Sequence, residues 1–127
     1  MFLIKGNRVP IMSNFQLDLT YREKLIELNI AVTGNIVCGF KGTIDVPFDQ
    51  DLRDMFREFL NGEIQLLNFK DSKNPAIATR FYVREDIMFY GRQHGYECFE
   101  LQLTVSQKDR VRSIFGEVVR LIGENTR

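Results

Sequence analysis

Between residues 26 and 46 apolar and polar side chains alternate along two consecutive stretches, and a chain with that period can bury one face only as β-strands. Ile26, Leu28, Ile30 and Val32 alternate with Glu27, Asn29, Ala31 and Thr33. Ile36, Cys38, Phe40, Ile44 and Val46 then share one side of a return strand, with Val37, Gly39, Lys41, Thr43 and Asp45 on the other. Gly34-Asn35 lies between them and supplies two residues that tolerate positive φ, which predicts a two-residue hairpin turn. Gly39 and Gly42 weaken the return strand and predict a bulge or strong bend. Just upstream, Phe15, Leu17 and Leu19 alternate with Gln16, Asp18 and Thr20 as a further strand.

After Pro47 the period changes to that of a helix. Phe48, Leu52, Met55, Phe56, Phe59 and Leu60 fall on one stripe, Asp49 or Asp51 can cap its start, and Asn61-Gly62 stops it. Strand periodicity then returns. Glu63 to Phe69 is followed by the dense turn signal Asp71-Ser72-Lys73-Asn74-Pro75. Ile77, Thr79, Phe81 and Val83 alternate with Ala78, Arg80, Tyr82 and Arg84; Ile87 to Gln93 follows, then the turn His94-Gly95. Phe99, Leu101, Leu103 and Val105 alternate with Cys98, Glu100, Gln102 and Thr104. Ser106, with Asp109 three residues on, is expected to open a last helix whose buried stripe is Val111, Ile114, Phe115, Val118 and Ile122, flanked by Leu121. Glu124 to Arg127 are expected to fray.

The order strands, helix, strands, helix predicts an α+β fold: an antiparallel β-sheet meander with two α-helices packed on one face. The chain of 127 residues suits a single domain spanning 1–127, without repeat or linker. The expected core is Leu28, Ile30, Phe40, Leu52, Phe56, Phe59, Phe81, Leu101, Leu103, Ile114, Phe115 and Val118. With 44% hydrophobic and 27% charged residues, the composition excludes a disordered tail or a disulfide-dense miniprotein. Seventeen basic residues balance seventeen acidic ones, so no strong whole-molecule attraction to nucleic acid or anionic lipid is expected.

Met1 to Gly6 carries too short an apolar run for a signal peptide, and no run approaches a membrane span. The expectation is therefore cytoplasmic, with Cys38 and Cys98 as two buried thiols; a disulfide between adjacent strands is the alternative. His94, the single histidine, has no identifiable orienting partner and reads as an exposed turn residue rather than a base for Cys38 or Cys98. Asp49, Asp51 and Asp54 are explained by a helix start. No zinc, calcium or phosphate-cradling spacing is present, so neither metal nor cofactor nor catalysis is expected.

One surface stands out. Arg80, Tyr82 and Arg84 share a strand face opposite Phe81 and Val83, and Met88, Tyr90 and Arg92 share one opposite Ile87 and Phe89. If the two strands pair, Arg80, Tyr82, Arg84, Tyr90 and Arg92 line the side of the sheet that the helices leave uncovered. Arg, Tyr and Met are enriched at protein interfaces, and the same set could stack on single-stranded RNA. An acidic protein partner is favoured over RNA because the chain as a whole is not basic. A merely solvated face is the alternative.

Two segments carry a family resemblance: Phe40-Lys41-Gly42 with Asp51-Leu52-Arg53-Asp54-Met55-Phe56-Arg57-Glu58-Phe59-Leu60, and Phe99-Glu100-Leu101-Gln102-Leu103-Thr104-Val105-Ser106 with the helix up to Ile122. In the order of these elements the chain resembles the WapI-like bacterial immunity proteins of polymorphic toxin systems. The resemblance covers roughly the C-terminal two-thirds as pattern. It implies stoichiometric binding of a cognate toxin, with no catalysis and no cofactor. The alternative is a homodimeric structural or accessory subunit that associates through the Arg/Tyr face.

Overall fold

Period-two segments become strands and period-3.6 segments become helices in the computed structural model, which describes residues 8–9, 14–34, 39–93 and 97–125. The strands are β1 (Arg8–Val9), β2 (Asn14–Arg22), β3 (Leu25–Thr33), β4 (Phe40–Pro47), β5 (Leu66–Lys70), β6 (Ala78–Arg84), β7 (Asp86–Gln93) and β8 (Glu97–Gln102). Helix α1 (Gln50–Leu60) follows β4, and α2 (Val105–Asn125) follows β8. The fold is α+β in the expected order. Its strands divide between two sheets, a larger one ordered β1-β8-β7-β6-β5 and a smaller one ordered β2-β3-β4. All pairings are antiparallel except β1 with β8, which is parallel.

The pairing of β3 with β4 corrects the turn expected at Gly34-Asn35. A two-residue turn there would set Val32 opposite Val37, whereas the register sets Val32 opposite Phe40 and leaves a longer connection. Gly34 does take a positive φ of 100°. Asn35 to Cys38 and His94 to Tyr96 lie outside the described residues.

The inner faces of the two sheets meet through phenylalanines. Phe15 of β2 packs against Phe89 and Phe81, with ring centroids 5.1 and 6.3 Å apart, and Phe40 of β4 packs against Phe99 and Phe89 at 5.6 and 5.7 Å. The helices cover the rest of the same face of the larger sheet. Phe115 of α2 sits 5.0 Å from Phe81 and 5.0 Å from Phe56 of α1, and Phe56 stacks on Phe69 of β5. Of the expected core, all are buried except Leu52, which is partly buried; Met55 turns outward. Gly91 lies where a Cβ would come within 2.9 Å of the Phe99 ring and 3.1 Å of Phe40.

Helix α1 begins and ends as its sequence dictates. The Asp49 carboxylate accepts from the Asp51 and Leu52 N–H groups, and Gly62 beyond the end takes a φ of 78°. The start of α2 differs from the Ser106–Asp109 reading. Thr104 Oγ1 accepts from the Gln107 N–H while Gln107 Oε1 accepts from the Thr104 N–H, a reciprocal capping box two residues earlier. The helix also persists through Glu124 to Asn125, whose side-chain amide donates to the Leu121 carbonyl.

Between β5 and β6, the turn at Asp71 forms a corner between the sheets. One carboxylate oxygen of Asp71, a buried residue, accepts from the Thr43 N–H of β4, and the other accepts from the N–H groups of Lys73 and Asn74 at 2.9 and 2.8 Å. The Ser72 N–H donates to the Thr43 carbonyl at 2.8 Å. The edge of β4 is thereby tied to the larger sheet.

Candidate functional site

The face of the larger sheet turned away from the smaller sheet and the helices is built by alternation. Phe81, Phe89, Phe99 and Leu101 point inward, so the residues between them on β6, β7 and β8 point outward. The register then places Arg80, Tyr90 and Glu100 in one row across the three strands, with Tyr82, Met88 and Gln102 in the next. Leu66, Asn68 and Lys70 of β5 extend the face beyond β6 and are exposed.

All five residues singled out from the sequence lie on this face, and cation–π contacts join four of them, one pair across β6 and β7 and the other along β6. The Arg80 guanidinium lies over the Tyr90 ring, 4.9 Å from its centroid, and that of Arg84 lies 5.5 Å from the centroid of Tyr82. Arg92 is exposed one step further along the Tyr90 side of β7, opposite Cys98. The residue missed by sequence reasoning is Glu100. It accepts from the Tyr82 hydroxyl and from Arg84 at 3.1 Å, so one carboxylate holds both ends of the Arg84–Tyr82 pair. Its alternation with Phe99 and Leu101 was visible, but its place beside Tyr90 depends on strand order.

The face is therefore held in one arrangement by its own contacts. Met88, Tyr82, Tyr90 and Arg80 are packed among their neighbours, and the Arg80 Nε is enclosed without a hydrogen-bond partner among the described residues. Burial pushes the Tyr90 phenol above the ordinary tyrosine range, helped by its hydrogen bond with Cys98 and opposed by the charges of Arg92 and Arg80. Tyr90 thus stays a neutral hydroxyl at physiological pH. Cys98 carries a free thiol and is only partly buried.

The charges of this face are uneven. Lys70, Arg80, Arg84 and Arg92 stand on it, with Glu100 near its centre. Asp86, at the rim, is engaged by α2: Lys108 Nζ lies 2.7 Å from one carboxylate oxygen and Arg112 2.9 Å from the other. The hydrogen bond from Lys108, with one from the Ile87 N–H, holds the Asp86 carboxyl below the usual range. A flat, cationic, aromatic surface of this kind can stack, form bidentate bonds to carboxylates, and exclude water around them.

Grooves of about 340, 230 and 200 Å³ lie elsewhere, lined by residues of β2, β3, β4 and the start of α2. Among the described residues, no three His, Cys, Asp or Glu side chains converge in a way that could hold a metal ion, and no helix is long and apolar enough to cross a membrane. His94 and Cys38 lie outside the described residues. No family model matches the chain, and neither the curated proteins nor the solved structures contain a match to it.

Proposed function

We propose that this chain is a small cytoplasmic binding protein that engages an acidic protein partner through Arg80, Tyr82, Arg84, Tyr90 and Arg92, without catalysis and without a cofactor. The observation that carries this reading is the cation–π and carboxylate network spanning β6, β7 and β8, which holds Arg and Tyr side chains in place on the sheet face turned away from the helices. Preorganised side chains lose little freedom on binding, and arginines with several free N–H groups each suit surface carboxylates. An immunity-type inhibitor that binds a cognate toxin stoichiometrically fits this surface and the resemblance in element order. A homodimer through the same face is less favourable, because a two-fold axis there would bring the cationic rows of two copies together.

The test is capture of partners from the source cell's lysate by wild type and by Arg80→Ala/Tyr82→Ala. The reading expects an acidic protein recovered in stoichiometric amount by wild type and depleted at least tenfold by the variant, about 1.4 kcal/mol of binding. Equal recovery by both, at equal melting temperature, would mean the face is only solvated.

A further inference from the structure

Sheet edges expose unpaired N–H and C=O groups, and proteins ordinarily blunt them with short strands, proline, bulges or a covering segment. In the larger sheet β1 has two residues and β5 five, while β4 is closed by Asp71 and Ser72. Strand β2 is different: its nine residues pair with β3 without interruption, and they include no proline. At its N-terminal half the free edge is partly covered, since Arg110 of α2 donates from Nε to the Leu17 carbonyl at 3.1 Å and pairs with Asp18 at 3.1 Å. From Leu19 to Arg22 no hydrogen bond to the free edge is present among the described residues.

We propose that two copies of this chain associate about a two-fold axis by antiparallel pairing of β2 with β2, centred on Thr20. The direction of the backbone fixes which residues can pair. The tight β2–β3 turn sets Arg22 opposite Leu25, so Arg22, Thr20 and Asp18 bond toward β3, while Tyr21, Leu19 and Leu17 direct their N–H and C=O groups to the free edge. The bond from Arg110 to the Leu17 carbonyl agrees with this alternation.

Centring on Thr20 sets Leu19 of each copy opposite Tyr21 of the other, so both use outward-directed backbone groups. It also sets Asp18 opposite Arg22 on the solvent side, where the carboxylate oxygen that Arg110 does not hold meets an opposite charge, twice by symmetry. On the inner side Tyr21, 56% exposed in one copy, is covered by the other copy's Leu19. Neighbouring registers are worse. Centring on Asp18 opposes two aspartates, and centring on Leu19 needs the Leu17 carbonyl that Arg110 already holds. The chosen register joins the two smaller sheets into one and leaves the Arg/Tyr face of each copy free, so it is independent of the partner-binding reading.

Sedimentation velocity, run up to about 0.5 mM because such a dimer is concentration-dependent, provides the test. Wild type is expected to approach twice the 14.9 kDa monomer mass. Tyr21→Pro removes an outward N–H that β3 does not use, so it should give a folded monomer by circular dichroism. Arg22→Asp should also be monomeric, and Asp18→Arg/Arg22→Asp should restore the dimer by reversing both charges. If Tyr21→Pro does not fold, the charge exchange decides alone. A wild type that stays monomeric, a dimer that survives in folded Tyr21→Pro, or a charge exchange that restores nothing would each overturn the proposal.

Discussion

Replacing Asp71 with Asn changes almost no volume, yet it should cost more than most surface substitutions. All three partners of the Asp71 carboxylate are backbone donors: the N–H groups of Thr43, Lys73 and Asn74. An amide of the same shape offers one acceptor and one donor, so its NH2 must face at least one of those N–H groups. Keeping the oxygen toward Lys73 and Asn74 turns the NH2 toward Thr43 and breaks the carboxylate link to β4, leaving the Ser72 bonds to the Thr43 carbonyl. Losing one charge-assisted hydrogen bond costs about 1.5–3 kcal/mol, and a buried donor left unpaired costs about 1–3 kcal/mol; the two overlap, so about 2–4 kcal/mol is expected in total. With a urea m-value of about 1.5 kcal/mol/M, the unfolding midpoint should fall by roughly 1.3–2.7 M. Ser72→Ala, which loses only an exposed hydroxyl bond to the Thr43 carbonyl, should cost about 0.5 kcal/mol or less. Hydrogen exchange at the Thr43 amide should accelerate in Asp71→Asn. A loss below about 1 kcal/mol, or unchanged protection of Thr43, would refute the role assigned to Asp71.

Three further outcomes follow from the packing, capping and electrostatics. Gly91→Ala should destabilise by about 1–3 kcal/mol in urea titration, because its Cβ would press on the buried rings of Phe99 and Phe40. Thr104→Ala should cost about 1 kcal/mol of thermal or urea stability, whereas Ser106→Ala should cost almost nothing, since Thr104 caps α2. The folded-state pKa of Asp86 lies below its ordinary value of 3.8, so its stabilisation is present above that value and lost as pH falls through the lower folded value. Asp86→Asn should therefore flatten the decline in stability on acidification below about pH 4, measured by urea unfolding at a series of pH values.

Much of this architecture was legible because alternation reports which side of a strand is buried. The alternation of Phe81 with Arg80 and Tyr82, and of Phe89 with Tyr90, is enough to set these Arg and Tyr side chains on the face opposite the buried phenylalanines. Alternation does not report what covers the buried side. Phe15 and Phe81 look alike in sequence, and only the fold shows that they meet from different sheets. Asp71 looked like any turn aspartate, because its bond to Thr43 joins residues 28 apart in sequence. Thr104 looked like the polar partner of Leu103 in a strand, since a cap and a strand end use the same residue types. Glu100 joined the site only through strand order, with β8 lying on the side of β7 opposite β6.

The central claim, that the outward face of β6, β7 and β8 binds an acidic protein, is tested most directly by calorimetric titration of the captured partner into single alanine variants. Arg80→Ala, Arg84→Ala and Tyr90→Ala should each weaken binding, at least one of them by tenfold or more, with affinity falling as salt rises. Lys41→Ala, exposed on the other sheet, should bind as wild type does. Equal affinity across the three face variants, with each folded as wild type, would contradict the account.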